Sequence, residues 1–277
     1  MTVWWQNIPT FLDPIVFTAG SFSLRWYAVF FVLGWFAAFR FLRSRIRKGD
    51  PIIGKEALSD LATTVFVGAL LGGRLGYALF YDPSLLSHPM SLVSPFDSFG
   101  TWRGIWGMSF HGALCGVLFG SYFFARSRKI GFWRLTDFIV PAVPIAIFFG
   151  RIGNFLNLEL VGRTTERSWG MYFPGFSGLR HPSQLYEAFF EGVLLFAVLF
   201  MIGKRRMREG YLSLAFLFLY GSARFMLEFF REPDAGSELF FGWMTRGQSL
   251  SFGMIVFSIA ISGFFSKQKD GILNGRG

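Results

Sequence analysis

The residues best suited to chemistry gather in one run, Gly150-Arg151-Ile152-Gly153-Asn154-Phe155-Leu156-Asn157-Leu158-Glu159-Leu160-Val161-Gly162-Arg163, directly after the apolar stretch 138–149. On a helix, Arg151, Asn154 and Asn157 fall at i, i+3 and i+6 and share a face. A guanidinium fork matches phosphate bidentately and each asparagine offers a donor and an acceptor, so such a face suits a phosphate-bearing ligand. Alternatively, Arg151 snorkels to lipid headgroups while the asparagines cap a helix end. A charge at the centre of a membrane helix costs about 2.5–3.5 kcal/mol on the insertion scale, so one retained there is a functional candidate. Arg224 and Glu228 stand four residues apart in another apolar stretch, either as part of a site or as an intrahelical ion pair. His111, within Trp106-Gly107-Met108-Ser109-Phe110-His111-Gly112, can accept a proton near neutral pH; otherwise it is a hydrogen-bonded core histidine.

Other polar residues carry weaker signals. Ser109 is rejected as a nucleophile because its surroundings lack the final glycine of a nucleophile elbow. Three histidines and one cysteine, far apart in sequence, give no metal-ligand spacing, so no metal or other cofactor is expected. Cys115 excludes an intramolecular disulfide and is expected to be a buried small hydrophobe. His181-Pro182-Ser183-Gln184-Leu185-Tyr186-Glu187 opens a further apolar segment, with His181 and Ser183 as interfacial and capping residues and Gln184, Glu187 and Glu191 along one helical face. Tyr27, beside Arg25 and Trp26, reads most simply as an interfacial aromatic. Depth argues against pairing Arg74 with Asp60 or Asp137 and favours a polar interior near the outer half.

The elements that must position these groups are membrane helices. The 277 residues are 52% hydrophobic and only 16% charged, with mean hydropathy +0.44, whereas soluble domains carry about 25% charged residues. Apolar runs predict seven transmembrane helices, at 24–41, 58–80, 105–125, 135–155, 185–202, 211–230 and 250–265. Pro141 and Pro144 predict a kink in the fourth. Lys and Arg residues are concentrated after the first, third, fifth and seventh spans, and those segments hold most of the 27. The positive-inside rule therefore puts the N-terminus outside (periplasmic) and the C-terminus in the cytoplasm. It also accounts for the net charge of +10 without a nucleic-acid partner.

The chain is expected to be an all-α integral membrane protein with a single membrane domain over 1–277. Residues 1–23, which lack Lys and Arg and carry Trp4, Trp5, Phe11 and Phe17, read as an interfacial segment rather than a cleavable signal peptide. Residues 82–104 form an outer arm, 157–183 a small outer (periplasmic) excursion between spans four and five, and 266–277 a cytoplasmic tail. In this orientation Arg151, Arg224 with Glu228, and His111 all approach the outer leaflet. A transporter would have polar groups near the midplane and internal repeats, and neither is evident. An intramembrane protease would need a Ser/His or Asp/Asp pair, and none is convincing.

The 150–163 run, His181–Glu187, the Trp106–Gly112 region and the segment 221–234, occurring in that family's order, resemble bacterial prolipoprotein diacylglyceryl transferase. The resemblance covers essentially the whole chain. Two departures are Ala113, where a glycine often follows His-Gly, and Leu158, where a small residue usually precedes the glutamate; the second is expected to alter the turn after Asn157. The resemblance implies transfer of the sn-1,2-diacylglyceryl group from phosphatidylglycerol to the lipobox cysteine thiol of a prolipoprotein signal peptide, forming a thioether and releasing glycerol phosphate. It implies a multi-pass enzyme of the bacterial inner membrane among membrane lipids, with the site toward the periplasmic leaflet and the nucleophile supplied by the substrate. It marks Tyr27, His111, Arg151, Asn154 and Arg224 as catalytic, and Arg151, Asn154, Glu159, Gly162, Arg224 and Glu228 as phosphatidylglycerol-binding. In that scheme His111 takes the thiol proton, Asn154 positions the headgroup, Glu159 and Glu228 orient the arginines, and Gly162 permits a turn or close approach.

Overall fold

A long apolar run can satisfy its backbone without water only by closing helical hydrogen bonds internally, and most of this chain does so. The computed structural model describes residues 3–20, 22–49, 52–87, 94, 107–205, 207–233 and 244–274, the side chains of Phe110 and 268–274 excepted. Helices α1 (Trp26–Arg47), α2 (Lys55–Phe80), α3 (Phe110–Ser127), α4 (Phe132–Ile139) and α5 (Val143–Leu156) come first. They are followed by α6 (Ser183–Glu187), α7 (Leu195–Gly203), α8 (Tyr211–Leu227) and α9 (Arg246–Asn274). A short 3-10 turn, Val140–Ala142, joins α4 to α5 around Pro141, and a π-helical segment, Ala188–Leu194, joins α6 to α7. Among the described residues, five helical stretches are long and apolar enough to cross a membrane: Trp26–Arg47, Lys55–Phe80, Phe132–Leu156, Ser183–Gly203 and Arg246–Lys267. Helix α8 is apolar but 17 residues long.

Two short antiparallel hairpins make the chain mostly rather than wholly helical. β1 (Ile15–Ala19) pairs with β2 (Phe22–Arg25), and β3 (Met171–Tyr172) pairs with β4 (Leu179–Arg180). The β-branched content of Ile15-Val16-Phe17-Thr18 favours a strand over a continuous interfacial helix. Helix α9 continues to Asn274, through much of the segment expected to be a tail. Of the expected outer arm, 88–93 and 95–104 lie outside the described residues, as does Trp106; Pro83–Ser87 form a 3-10 turn.

The chain divides into two compact units. One comprises 19–22 and 41–138. Within it α2 and α3 cross at backbone contact: a Cβ on Gly72 would lie 2.3 Å from the Gly112 carbonyl oxygen, and one on Gly116 only 1.9 Å from that of Gly68. Small residues four apart on both helices permit this approach. Arg74 donates to the Gly107 carbonyl at 3.2 Å. Asp60 pairs with Arg128 at the other end of α2, not with Arg74. Cys115 is exposed rather than buried, because α3 turns its glycines, not this residue, toward α2.

The other unit comprises 1–18, 23–40 and 139–277. Here Val140, Leu195, Leu199 and Leu212 form one buried core, and Phe155, Val161 and Phe173 form another beneath the β3–β4 hairpin. A 3-10 helix, Trp4–Phe11, packs Ile8 against the second core, and Gln6 donates to the Ser168 carbonyl at 3.0 Å. The N-terminal segment is thus anchored on the 157–183 excursion, while Trp4 and Phe11 remain exposed. Helical surfaces in both units present Phe31, Phe36, Leu75, Phe119, Phe123, Phe252 and Ile259 outward. So much outward aromatic and aliphatic surface requires an apolar solvent.

Candidate functional site: a buried arginine–glutamate cluster

The site is built where four segments of the second unit meet. Helix α5 supplies Arg151 and Asn154, and ends with Asn157 as its C-cap. Asn157 points back to α1: its Oδ1 accepts the Tyr27 backbone N–H at 3.0 Å, capping that helix. Glu159 then holds both asparagines, accepting from Asn154 Nδ2 at 3.3 Å and Asn157 Nδ2 at 3.0 Å. The expected pairing of Glu159 with an arginine is therefore not found among the described residues; the turn after α5 aims its carboxylate at the asparagines instead. That turn is strained, as Leu158 (φ 59°) and Leu160 (φ 57°) are both left-handed. The unusual leucine before Glu159 adopts the conformation that a small residue would take more easily.

Arg151 and Arg224 come together through acids that sequence reasoning did not assign to the site. Arg151 Nη1 lies 3.0 Å from Glu187 Oε2, and its Nη2 donates to Glu191 Oε2 at 3.2 Å. Arg224 Nη1 donates to Glu187 Oε1 at 2.6 Å and lies 3.8 Å from Glu191 Oε1. Each glutamate therefore bridges both arginines. Arg224 Nη2 also lies 2.6 Å from Glu228 Oε2, the intrahelical pair suggested by the spacing, while Glu228 Oε1 accepts from Thr245 Oγ1 at 2.9 Å. Arg231 approaches Glu187 at 3.9 Å.

Local backbone explains this convergence. Glu187 ends α6 and Glu191 sits in the π-helical segment, an insertion that recurs at functional sites. Gly192 lets that segment touch α5, since a Cβ there would lie 2.7 Å from Phe148 Cβ. Gly162 forms an isolated antiparallel bridge with Arg231 and donates its N–H to the His181 carbonyl at 3.1 Å. A Cβ on Gly162 would fall 2.3 Å from the His181 carbonyl oxygen and 2.7 Å from that of Phe230, so close approach is what requires glycine here. The excursion is thereby tied to the end of α8, with Arg180 donating to both the Gly162 carbonyl and Glu232 at 3.1 Å.

His181 contacts the Tyr186 hydroxyl through Nδ1 at 3.1 Å, and burial, with a smaller contribution from the Arg167 charge, holds its pKa below the ordinary histidine value. Ser183 donates to the Leu160 carbonyl at 2.9 Å, so it secures the excursion rather than capping its own helix. Tyr27 is the second residue of α1 and is 38% exposed. Hence Tyr27, Arg151, Asn154, Glu159, Gly162, Arg224 and Glu228 all belong to one unit, and His111, exposed in the first turn of α3, belongs to the other. Ser109 caps α3, its Oγ accepting the Gly112 N–H at 3.3 Å, which accounts for it without nucleophilic chemistry. No group of three metal-ligating side chains occurs among the described residues.

Taken together, the apolar helices and this cluster define an integral membrane protein with two arginines held in a largely buried polar site. The chain belongs to the prolipoprotein diacylglyceryl transferase family, whose model matches residues 14–263. It is 42% identical over 262 residues to the phosphatidylglycerol–prolipoprotein diacylglyceryl transferase of Geobacter sulfurreducens, covering 94% of this chain and 98% of that one. The enzyme of the same name from Oleidesulfovibrio alaskensis is 45% identical over 259 residues, covering 93% and 94% of the two chains. That from Pseudoalteromonas atlantica is 47% identical over 255 residues, covering 90% and 88%.

Proposed function

We propose that this enzyme transfers the sn-1,2-diacylglyceryl group of phosphatidylglycerol to the lipobox cysteine thiol of prolipoproteins, the first step of lipoprotein maturation. The observation that carries the proposal is the pair Arg151–Arg224, drawn from distant parts of the chain onto shared carboxylates in a water-poor setting. The thiol sulfur attacks the glyceryl carbon, a C–S bond forms, and the C–O bond to phosphate breaks. Glycerol phosphate leaves with the electron pair. Fixed cations matter most where that charge develops, and two guanidinium forks supply them without reorganisation. Asn154 positions the headgroup, with Glu159 holding Asn154 and Asn157; Glu228 holds Arg224.

A thiol of pKa about 8.5 is only a few per cent thiolate at neutral pH, so its deprotonation costs roughly 2 kcal/mol. His111 takes this proton in the proposed scheme, and Tyr27 borders the reacting group. Gly162 keeps the excursion closed over the end of α8. The family membership and the basic segments support seven spans within one membrane domain of the bacterial inner membrane, with the site in the outer leaflet and the C-terminus cytoplasmic. The test is incubation of purified protein with phosphatidylglycerol and a lipobox peptide. A mass gain of one diacylglyceryl group on cysteine is expected, and cleavage or an unchanged peptide refutes it.

A further inference from the structure

Glu187 and Glu191 are the most deeply buried members of the cluster, with side chains 1% and 0% exposed, while Arg151 and Arg224 keep 16% and 13%. The carboxylates are therefore enclosed, while each arginine keeps some open surface. Without these acids two guanidiniums would repel each other. With them, each arginine contacts both glutamates. Around the cluster Arg151, Arg224 and Arg231 meet Glu187, Glu191 and Glu228, with Glu159 beside Asn154, so the polar centre carries no excess of positive charge. Three buried carboxylate oxygens, Glu187 Oε2, Glu191 Oε1 and Glu228 Oε2, meet guanidinium nitrogens as ion pairs without a hydrogen-bond partner.

Resting on the proposed transfer reaction, we propose that Glu187 and Glu191 are positioning residues that lock Arg151 and Arg224 into one clamp and set its charge to favour a singly charged phosphodiester over the released phosphomonoester. The substrate headgroup carries one negative charge, whereas a phosphomonoester carries about −1.5 to −2 at pH 7. A clamp with uncompensated arginines would bind the more charged product more tightly and release it slowly. A balanced clamp recognises the phosphodiester through the fork geometry while limiting the extra attraction for the second charge.

The inference is tested on the full-length protein with Glu191→Gln, Glu187→Gln and Glu191→Asp. For each, KM and kcat are measured with phosphatidylglycerol and a lipobox peptide, inhibition by glycerol phosphate is recorded, and both affinities are repeated by equilibrium binding in detergent micelles. Glu191→Gln, or Glu187→Gln should the first fail to fold, lowers the inhibition constant of glycerol phosphate about tenfold or more, and by a larger factor than KM, with kcat reduced by slow product release. Glu191→Asp, which keeps the charge, retains the wild-type ratio of the two constants. Equal shifts in both constants, or weaker binding of both ligands, overturn the inference. Wild-type protein that binds both ligands but transfers nothing overturns the proposed function instead, and the binding ratio still decides the role of the glutamates.

Discussion

Replacing Arg224 with lysine preserves the charge and removes the fork. In the native cluster one terminal nitrogen of Arg224 reaches Glu187 at 2.6 Å and the other reaches Glu228 at 2.6 Å. These acids lie on different segments, and the guanidinium spans them while 13% of the Arg224 side chain stays open. A lysine ammonium gathers its three donors on one nitrogen, so it cannot span the two carboxylates from separate nitrogens or offer a phosphate a planar fork. A hydrogen bond to a charged group contributes about 1.5–3 kcal/mol. If one such contact is lost in the transition state, kcat/KM falls about ten- to a hundredfold, at 1.36 kcal/mol per tenfold. The assay is the initial rate of diacylglyceryl-peptide formation by mass spectrometry, with thermal unfolding as a control. A well-folded Arg224→Lys enzyme with kcat/KM within about twofold of wild type would refute the fork requirement.

Further outcomes follow from the same geometry. His111→Gln is expected to abolish most transfer while leaving thermal stability near wild type; near-normal turnover would remove His111 as the base. Gly162→Ala forces a methyl group toward the His181 and Phe230 carbonyls, so it should destabilise by about 1–3 kcal/mol, read as a lower Tm with loss of activity. Asn157→Ala removes the cap on Tyr27 N–H and should cost about 0.5–2 kcal/mol, read by denaturation. His181 has its folded pKa depressed, so its neutral form is favoured in the native state. Its contribution is present above the unfolded value of 6.5 and is lost as pH falls through that value toward the lower folded one. Tm should therefore fall more steeply between pH 7.5 and 5 in wild type than in His181→Gln.

Charged residues that interrupt apolar runs are conspicuous because their burial is expensive, and this made Arg151 and Arg224 legible in sequence. Their counter-ions were less so. Glu187 and Glu191 were visible as one helical face, but their cationic partners come from α5 and α8, and nothing in the local spacing signals a bridge between helices. A usable signal was present: two acids inside an apolar segment with no basic residue beside them. For Glu159 the arginine-orienting role came with the family resemblance, and the turn through Leu158 aims its carboxylate at Asn154 and Asn157 instead. The four-residue glycine spacing at Gly72–Gly76 and Gly112–Gly116 foreshadowed close packing, whereas Cys115 was misjudged because a membrane protein also has an apolar exterior. The strands at Ile15–Ala19 and Met171–Tyr172 are too short for periodicity to separate them from loops.

The most direct measurement follows both halves of the lipid. Phosphatidylglycerol labelled in its headgroup phosphate and, separately, in its acyl chains is incubated with the full-length enzyme and a lipobox peptide. The account predicts that headgroup label appears in water-soluble glycerol phosphate in equal amount to acyl label gained on the peptide cysteine, and that both are lost together in Arg151→Ala. Acyl label on the peptide without release of glycerol phosphate, or release without a modified cysteine, would contradict it.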